Sequence, residues 1–231
     1  LKALLTDIDG TITNNARRID TGAIELIRLL ADQGIEVVLA SGNTSCFMES
    51  VSKMIGTQGS FIAENGGVFR AGYQGKPRLQ GSQEECHRAL ETLQVYYRKK
   101  GKELELYSPT YRFVDLAFAR TVPVEEVRSV LSDHPVQVMD TGYAIHLQSP
   151  GINKGTALTA LARELGLSPK DFLAVGDSLN DIEMLKVAGI GAAVANAHPD
   201  AKAVAAYTAE KEYGNGFVEA VKKYYPYFRA R

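Results

Sequence analysis

Short apolar runs alternate with helical patterns at both ends of this chain, and the alternation stops in the middle. Ala3-Leu4-Leu5-Thr6 is a brief strand-like run that stops at acidic residues and Gly10. Thr21 to Gln33 then repeats Ile24, Ile27, Leu29, Leu30 and Ala31 at helical spacing, and Gly34 closes it. A β-rich run, Ile35 to Ala40, a helix over Ser45 to Ile55 and a strand over Ser60 to Ala63 follow. From Asn153 the rhythm resumes: a helix from Lys154 to Leu165, a strand Phe172 to Val175, a helix Leu179 to Val187, a strand Ile190 to Ala195, a helix Asp200 to Ala206 and a last helix Tyr213 to Tyr225. Strand and helix in strict alternation predict a parallel sheet joined by helical crossovers.

Between these halves the order changes to helix, strand, strand, repeated once. A helix over Gln83 to Lys100 places Ala89, Leu90, Leu93 and Tyr97 on one side. Strands are predicted over Glu103 to Tyr107 and Phe113 to Ala119, a helix over Val124 to Leu131, and strands over Val136 to Met139 and Tyr143 to Gln148 around a turn at Thr141-Gly142. The fold class is therefore α/β: a discontinuous parallel-sheet domain over 1–81 and 153–231, with an inserted α+β module over 82–152 built of an antiparallel sheet and two helices.

Of the 231 residues, 45% are hydrophobic and 23% charged, which excludes disordered, collagen-like and disulfide-scaffold classes. Lys and Arg number 26 against 27 Asp and Glu, a net charge of −1, so no broad basic field exists and no nucleic-acid partner is expected. No run reaches about 18 apolar residues, so no membrane span is expected. The first apolar run is too short for a signal sequence. Cys46 and Cys86 match no metal or redox spacing and read as reduced thiols, which points to a cytoplasmic protein.

Four polar segments each follow a predicted strand or open a predicted helix, where ligands of open α/β sheets bind. They are Asp7-Ile8-Asp9-Gly10-Thr11, Ser41-Gly42-Asn43, Lys154, and Gly176-Asp177-Ser178-Leu179-Asn180-Asp181. Carboxylates brought to one point repel, and a hard divalent cation relieves that repulsion. Oxygen ligands without His or Cys favour Mg²⁺ over zinc. Ser41, Lys154 and the loop amides suit phosphate oxygens, and a carboxylate aimed at phosphorus can form an acyl phosphate. Singly each segment has an ordinary explanation as a turn, a cap or a solvated lysine; their occurrence together, in this order, carries the reading.

In this order the segments resemble the haloacid dehalogenase superfamily of phosphatases, with a Rossmann-like core. The position of the insert, between Asn43 and Lys154, resembles the large-cap, Cof-type branch. The small cap, Glu64-Asn65-Gly66 and the Ser-Gly-Asn form of the second segment look most like the archaeal phosphoglycolate phosphatases within it. Asn43 departs from many Cof-type members, in which Arg is frequent there. The resemblance implies hydrolysis of a small phosphorylated metabolite, 2-phosphoglycolate above all. It makes Asp7 the nucleophile and a metal ligand, and Asp9 the general acid and base whose carbonyl also touches the metal. It places Thr11, Ser41, Gly42, Asn43, Lys154 and Asn180 around the phosphoryl group, with Lys154 also neutralising Asp7. Asp177 ligates the Mg²⁺, and Asp181 ligates it or holds its waters. Asn196 is expected to support Lys154 or the phosphate, and the cap to close over the site on hinges near Gly81-Ser82 and Pro150-Gly151.

Other features read as structural. Gly189-Ile190-Gly191 lacks a third glycine and begins a strand rather than following one; Gly72 to Lys76 reads as a hairpin turn; His87, His134, His146 and His198 share no ligand spacing. The run Arg98 to Lys102 suits a helix C-terminus. Tyr111 and Arg112 lie in a loop of the insert, where an arginine could hold a substrate carboxylate or simply be exposed. Tyr224, Tyr225, Tyr227 and Phe228 either pack the last helix or offer a homodimer contact. A sugar-phosphate phosphatase or phosphomutase on the same core, and a non-catalytic phosphate-binding module, are the alternatives.

Overall fold

All five residues of β1 (Ala3–Asp7) are buried, as a strand paired on both edges and covered on both faces requires. In the computed structural model, which describes residues 1–230, the chain continues through α1 (Thr21–Asp32), β2 (Glu36–Ala40), α2 (Ser45–Ile55), β3 (Phe61–Ala63), β4 (Val68–Arg70) and β5 (Arg78–Leu79). The middle contains α3 (Gln83–Lys99), β6 (Leu116–Ala119), α4 (Val124–Val130), β7 (Gln137–Asp140) and β8 (Ala144–Gln148). Then come α5 (Lys154–Glu164), β9 (Phe172–Gly176), α6 (Ile182–Val187), β10 (Ile190–Ala193), α7 (Pro199–Val204), β11 (Tyr207–Thr208) and α8 (Tyr213–Tyr224). Two compact units result, one of residues 1–78 and 153–231 and one of residues 79–152.

The larger unit is built on a sheet of order β11-β10-β9-β1-β2-β3-β4-β5. The strands from β11 to β3 run parallel, and β4 turns back antiparallel to β3. From β1 the chain moves one way through β2 and β3, and after the insert it returns to the other side of β1 with β9. That reversal is a switch point, where α/β sheets form a ligand crevice at the strands' carboxyl ends. Register aligns those ends: Asp7 lies opposite Ala40, and Thr6 opposite Val175. Ser41 and Asp177 therefore emerge beside Asp7.

Local sequence fixes the helices. Asp20 caps α1 by accepting from the Ala23 amide at 2.9 Å, and Ala23, Leu26, Ile27 and Leu30 form its buried stripe. α5 opens on a reciprocal cap: Asn153 Oδ1 accepts from the Thr156 amide at 2.9 Å, and Thr156 Oγ1 accepts from the Asn153 amide at 3.1 Å. That cap fixes the first residue of the helix, Lys154.

The inserted unit packs α3 and α4 with a three-stranded antiparallel sheet of order β6-β8-β7. Ala89, Leu90, Leu93 and Tyr97 are all buried, as their spacing predicts, against Leu116, Phe118, Ile145 and Leu147. The strand predicted over Glu103 to Tyr107 is reduced to a single bridge, Leu106 with Phe118, because Ser108 turns left-handed and Pro109 follows, which ends the pairing. Phe113 to Asp115 also fall outside the strand, which begins at Leu116. In the larger unit β4, β5 and β11 have no counterpart in the sequence pattern; they are two or three residues long and exist only by pairing with neighbours. Among the described residues, no helix is long and apolar enough to cross a membrane.

Candidate active site

The last residue of β1, Asp7, meets the first residue of α5, Lys154, at 2.6 Å from Oδ1 to Nζ. Lys154 Nζ also donates to Asp181 Oδ1 at 2.6 Å. Lys154 and Asp181 are wholly buried and Asp7 nearly so. Asp177 completes the group: one carboxylate oxygen from each of Asp7, Asp177 and Asp181 lies within 4.8 Å of the others. The loop after β9 is held in shape by Asp181, whose Oδ2 accepts from the Asp177 and Ser178 amides, each at 3.0 Å. Four residues drawn from three distant stretches of sequence thus occupy one point.

The electrostatics are unbalanced. One ammonium faces three carboxylates, a sum of +1 − 3 = −2 when all are ionised. Burial pushes the Asp7 carboxyl well above its usual range; Lys154 opposes this, while the charges of Asp181, Asp177 and Asp9 add to it. Burial, with Asp181, lifts Asp177 to about 7. Burial disfavours the Lys154 ammonium, but the charges of Asp181 and Asp7 outweigh that and raise it. Asp7 Oδ2 is buried without a hydrogen-bond partner among the described residues. An orphaned carboxylate oxygen, an all-oxygen donor set and a surplus of two negative charges fit a hard divalent cation.

Asp9 stands outside this trio. Its Oδ2 accepts from Asn43 Nδ2 at 2.9 Å and from Ser41 Oγ at 3.4 Å. The Ser41 hydroxyl oxygen accepts in turn from the Asn43 amide nitrogen at 3.1 Å and from Asn43 Nδ2 at 3.0 Å. Thr11 Oγ1 donates to Asp177 Oδ1 at 3.3 Å, linking the first and last segments. Gly10 has a left-handed φ of 90°, and a Cβ there would lie 2.4 Å from Asp177 Oδ2, so backbone conformation and close approach both require glycine.

Two asparagines act on neighbours. Asn180 Nδ2 donates to Asn65 Oδ1 at 2.8 Å, and its Oδ1 accepts from Ser178 Oγ. Asn196 Nδ2 donates to the Gly10 carbonyl at 2.8 Å, and its Oδ1 accepts from the Tyr213 amide at 2.7 Å. Asn196 therefore bears on the Asp7–Thr11 loop rather than on Lys154. Asn65 is the site neighbour that the residue pattern alone does not assign, although its segment follows β3 just as the others follow β1, β2 and β9.

Within the inserted unit, Arg112 is buried while Tyr111 is exposed. The Arg112 guanidinium donates to Asp115 Oδ1 at 2.6 Å and to the Tyr107 carbonyl at 2.9 Å, and His146 Nδ1 lies 2.7 Å from Asp115 Oδ2. Of the other histidines, His134 meets Thr92 Oγ1, His198 caps α7 and His87 is exposed.

The profile of the haloacid dehalogenase-like hydrolases matches residues 4–114 and 122–221 of this chain. A phosphoglycolate phosphatase of Methanoculleus marisnigri is 59% identical over 233 residues, covering 100% of both chains. One from Methanospirillum hungatei is 52% identical over 231 residues, again covering 100% of each. A crystal structure of a Thermoplasma acidophilum protein superposes with a TM-score of 0.86 at 27% identity, covering 97% of this chain and 98% of that one.

Proposed function

We propose a reaction for this chain from one premise: it belongs to the haloacid dehalogenase-like hydrolase family. It hydrolyses 2-phosphoglycolate to glycolate and phosphate. Full-length relatives that bear the name phosphoglycolate phosphatase, at 59% and 52% identity, support the substrate. The observation that carries the chemistry is the buried meeting of Asp7, Lys154, Asp177 and Asp181 at the carboxyl ends of β1 and β9.

Asp7, Asp177 and Asp181 would hold Mg²⁺, with the Asp9 carbonyl as a further ligand implied by the family. Bound there, the ion would offset the carboxylate charge and draw electron density from the phosphoryl oxygens.

The chain's own side chains supply the remaining chemistry. The Asp7 carboxylate attacks phosphorus, forming an acyl phosphate as the bond to the glycolate oxygen breaks. Asp9 donates its proton to that leaving oxygen. Asp9 then takes a proton from water, whose oxygen attacks phosphorus; the bond to Asp7 breaks, phosphate leaves and Asp7 is regenerated. Lys154 steadies the negative charge on Asp7 and on the phosphoryl group throughout. Ser41, with Gly42 and Asn43, forms the phosphate-side wall, and the Asn43 and Ser41 bonds hold the Asp9 carboxylate in place. Thr11 braces Asp177.

The test is phosphate release from 2-phosphoglycolate with and without Mg²⁺, beside a panel of sugar phosphates and a nucleotide. The reading expects 2-phosphoglycolate to be the best substrate, Mg²⁺ to be required, and Asp7→Asn to be inactive. Faster release from a sugar phosphate overturns the substrate; sugar-phosphate isomerisation without release would mark a mutase.

A further inference from the structure

Three consecutive residues after β3 are left-handed: Glu64 (φ 50°), Asn65 (φ 53°) and Gly66 (φ 105°). All three are buried. Glycine adopts such angles freely and asparagine tolerates them, but glutamate seldom does. Backbone strain of this kind persists only where the surroundings over-determine it, and it gathers at functional sites.

The surroundings here are the catalytic segments. The Glu64 amide donates to the Asn43 carbonyl at 2.9 Å, and the Asn65 amide to the Ser41 carbonyl at 3.2 Å. Asn65 Oδ1 accepts from Asn180 Nδ2 at 2.8 Å. A Cβ on Gly66 would lie 2.3 Å from the Asn153 carbonyl oxygen, so the turn presses directly on the backbone that opens α5. One three-residue turn therefore touches the loop that holds Asp9, the helix start that carries Lys154 and the loop that carries Asp177 and Asp181.

We infer that Asn65 is a positioning residue of the phosphoryl-transfer site: the Glu64–Gly66 turn locks those three segments into one register, and the Asn65–Asn180 bond is its link to the metal-side loop. The turn supplies no reacting atom. Misplacing groups by about 1 Å costs on the order of a hundredfold in rate, so such a lock acts on kcat more than on KM. The kinetic part rests on the hydrolase reading above; the exchange measurement below does not.

Asn65→Gly keeps the left-handed backbone and removes the side chain with its acceptor oxygen. We expect kcat for 2-phosphoglycolate to fall about tenfold or more, with KM changed less than about threefold. The thermal midpoint should stay within about 5 °C of wild type. Asn180→Ala should give a similar loss, and the double variant should lose no more than the worse single one, as for two residues acting through one bond. Amide hydrogen exchange in peptides spanning 41–43 and 177–181 should quicken in Asn65→Gly whether or not substrate turns over. An unchanged kcat, or losses that multiply in the double variant, overturns the inference. If wild type releases phosphate from no phosphomonoester, the hydrolase reading fails, and exchange alone decides: quickened exchange sustains the lock and unchanged exchange refutes it. Should Asn65→Gly not fold, exchange of the 64–66 peptide in Asn180→Ala reads the same bond from its other end: faster exchange there sustains the lock, and an unchanged rate refutes it.

Discussion

Lys154 and Asp181 form an ion pair at 2.6 Å in which neither side chain is exposed. A buried ion pair is a poor source of stability by itself, yet removing one partner leaves the other charged in a poor solvent. Here the partner serves two carboxylates, because Asp7 Oδ1 lies equally close to the same ammonium.

Lys154→Met should therefore cost both stability and rate. We expect destabilisation of about 3–5 kcal/mol at neutral pH without divalent cation. In the proposed reaction, turnover should fall about a thousandfold, because the positive charge assigned to the developing phosphoryl charge is gone. Chemical denaturation and phosphate-release kinetics check the two effects. Added Mg²⁺ should restore part of the stability and little of the rate.

The raised Asp177 carboxyl makes stability depend on pH and metal together. Its folded value, about 7, lies above its ordinary one, so the folded state holds that proton more firmly than the unfolded chain. Without metal, stability should decline as pH rises from about 4 through 7, and Asp7, raised for the same reason, adds to the decline. Mg²⁺ should raise the thermal midpoint more at pH 8 than at pH 5, since it binds the deprotonated group. Asp177→Asn should reduce the pH dependence, leaving the part due to Asp7, and abolish most of the Mg²⁺ effect. Thermal scans with chelator and with Mg²⁺ at the two pH values measure this.

Much of this arrangement follows from local pattern. Asp7 comes straight after the apolar run Ala3 to Thr6, and Ser41 straight after Ile35 to Ala40; parallel register alone then brings them together. Lys154 is the first helical residue because Asn153 and Thr156 cap the helix reciprocally. What local pattern does not show depends on partners distant in the chain. The stretch Glu103 to Tyr107 has a strand's alternation, but Ser108 and Pro109 limit it to one bridge. The two-residue β11 has no pattern of its own and forms only beside β10. Asn43 lies in a segment expected to bind phosphate, yet its side-chain amide donates to Asp9. Asn65 reaches Asn180 across 115 positions of sequence, a contact no local rule announces.

The Asn43 contact yields a kinetic expectation. Its Nδ2 donates to Asp9 Oδ2 at 2.9 Å and to Ser41 Oγ at 3.0 Å, so one amide orients both the proposed acid and the proposed phosphate-side hydroxyl. Asn43→Ala should lower kcat by about ten- to a hundredfold, a fraction of what losing general acid catalysis outright would cost. Asn43→Asp should be worse, since its like charge would face Asp9. Steady-state rates on 2-phosphoglycolate, and on a substrate with a good leaving group such as p-nitrophenyl phosphate, separate the roles. If Asn43 acts through Asp9, the loss shrinks when the leaving group needs no proton.

In the inserted unit, Asp115 joins Arg112 at 2.6 Å and His146 at 2.7 Å with no exposure of its own. Burial raises its carboxyl, but the His146 hydrogen bond and the His146 and Arg112 charges outweigh this and hold it below the usual range. A depressed folded value means that the unfolded chain binds the proton more readily. The stabilisation is therefore complete above the ordinary carboxylate range near pH 4, and it is lost as pH falls through the lower folded value. Asp115→Asn keeps the volume and removes the charge, leaving the Arg112 guanidinium without its buried carboxylate. It should destabilise the protein by about 3 kcal/mol at pH 7. The gap between wild type and variant should close below about pH 4. Denaturant titrations across that range decide the matter: a gap that persists undiminished at pH 3 would mean that Asp115 contributes through shape and hydrogen bonding rather than through its charge.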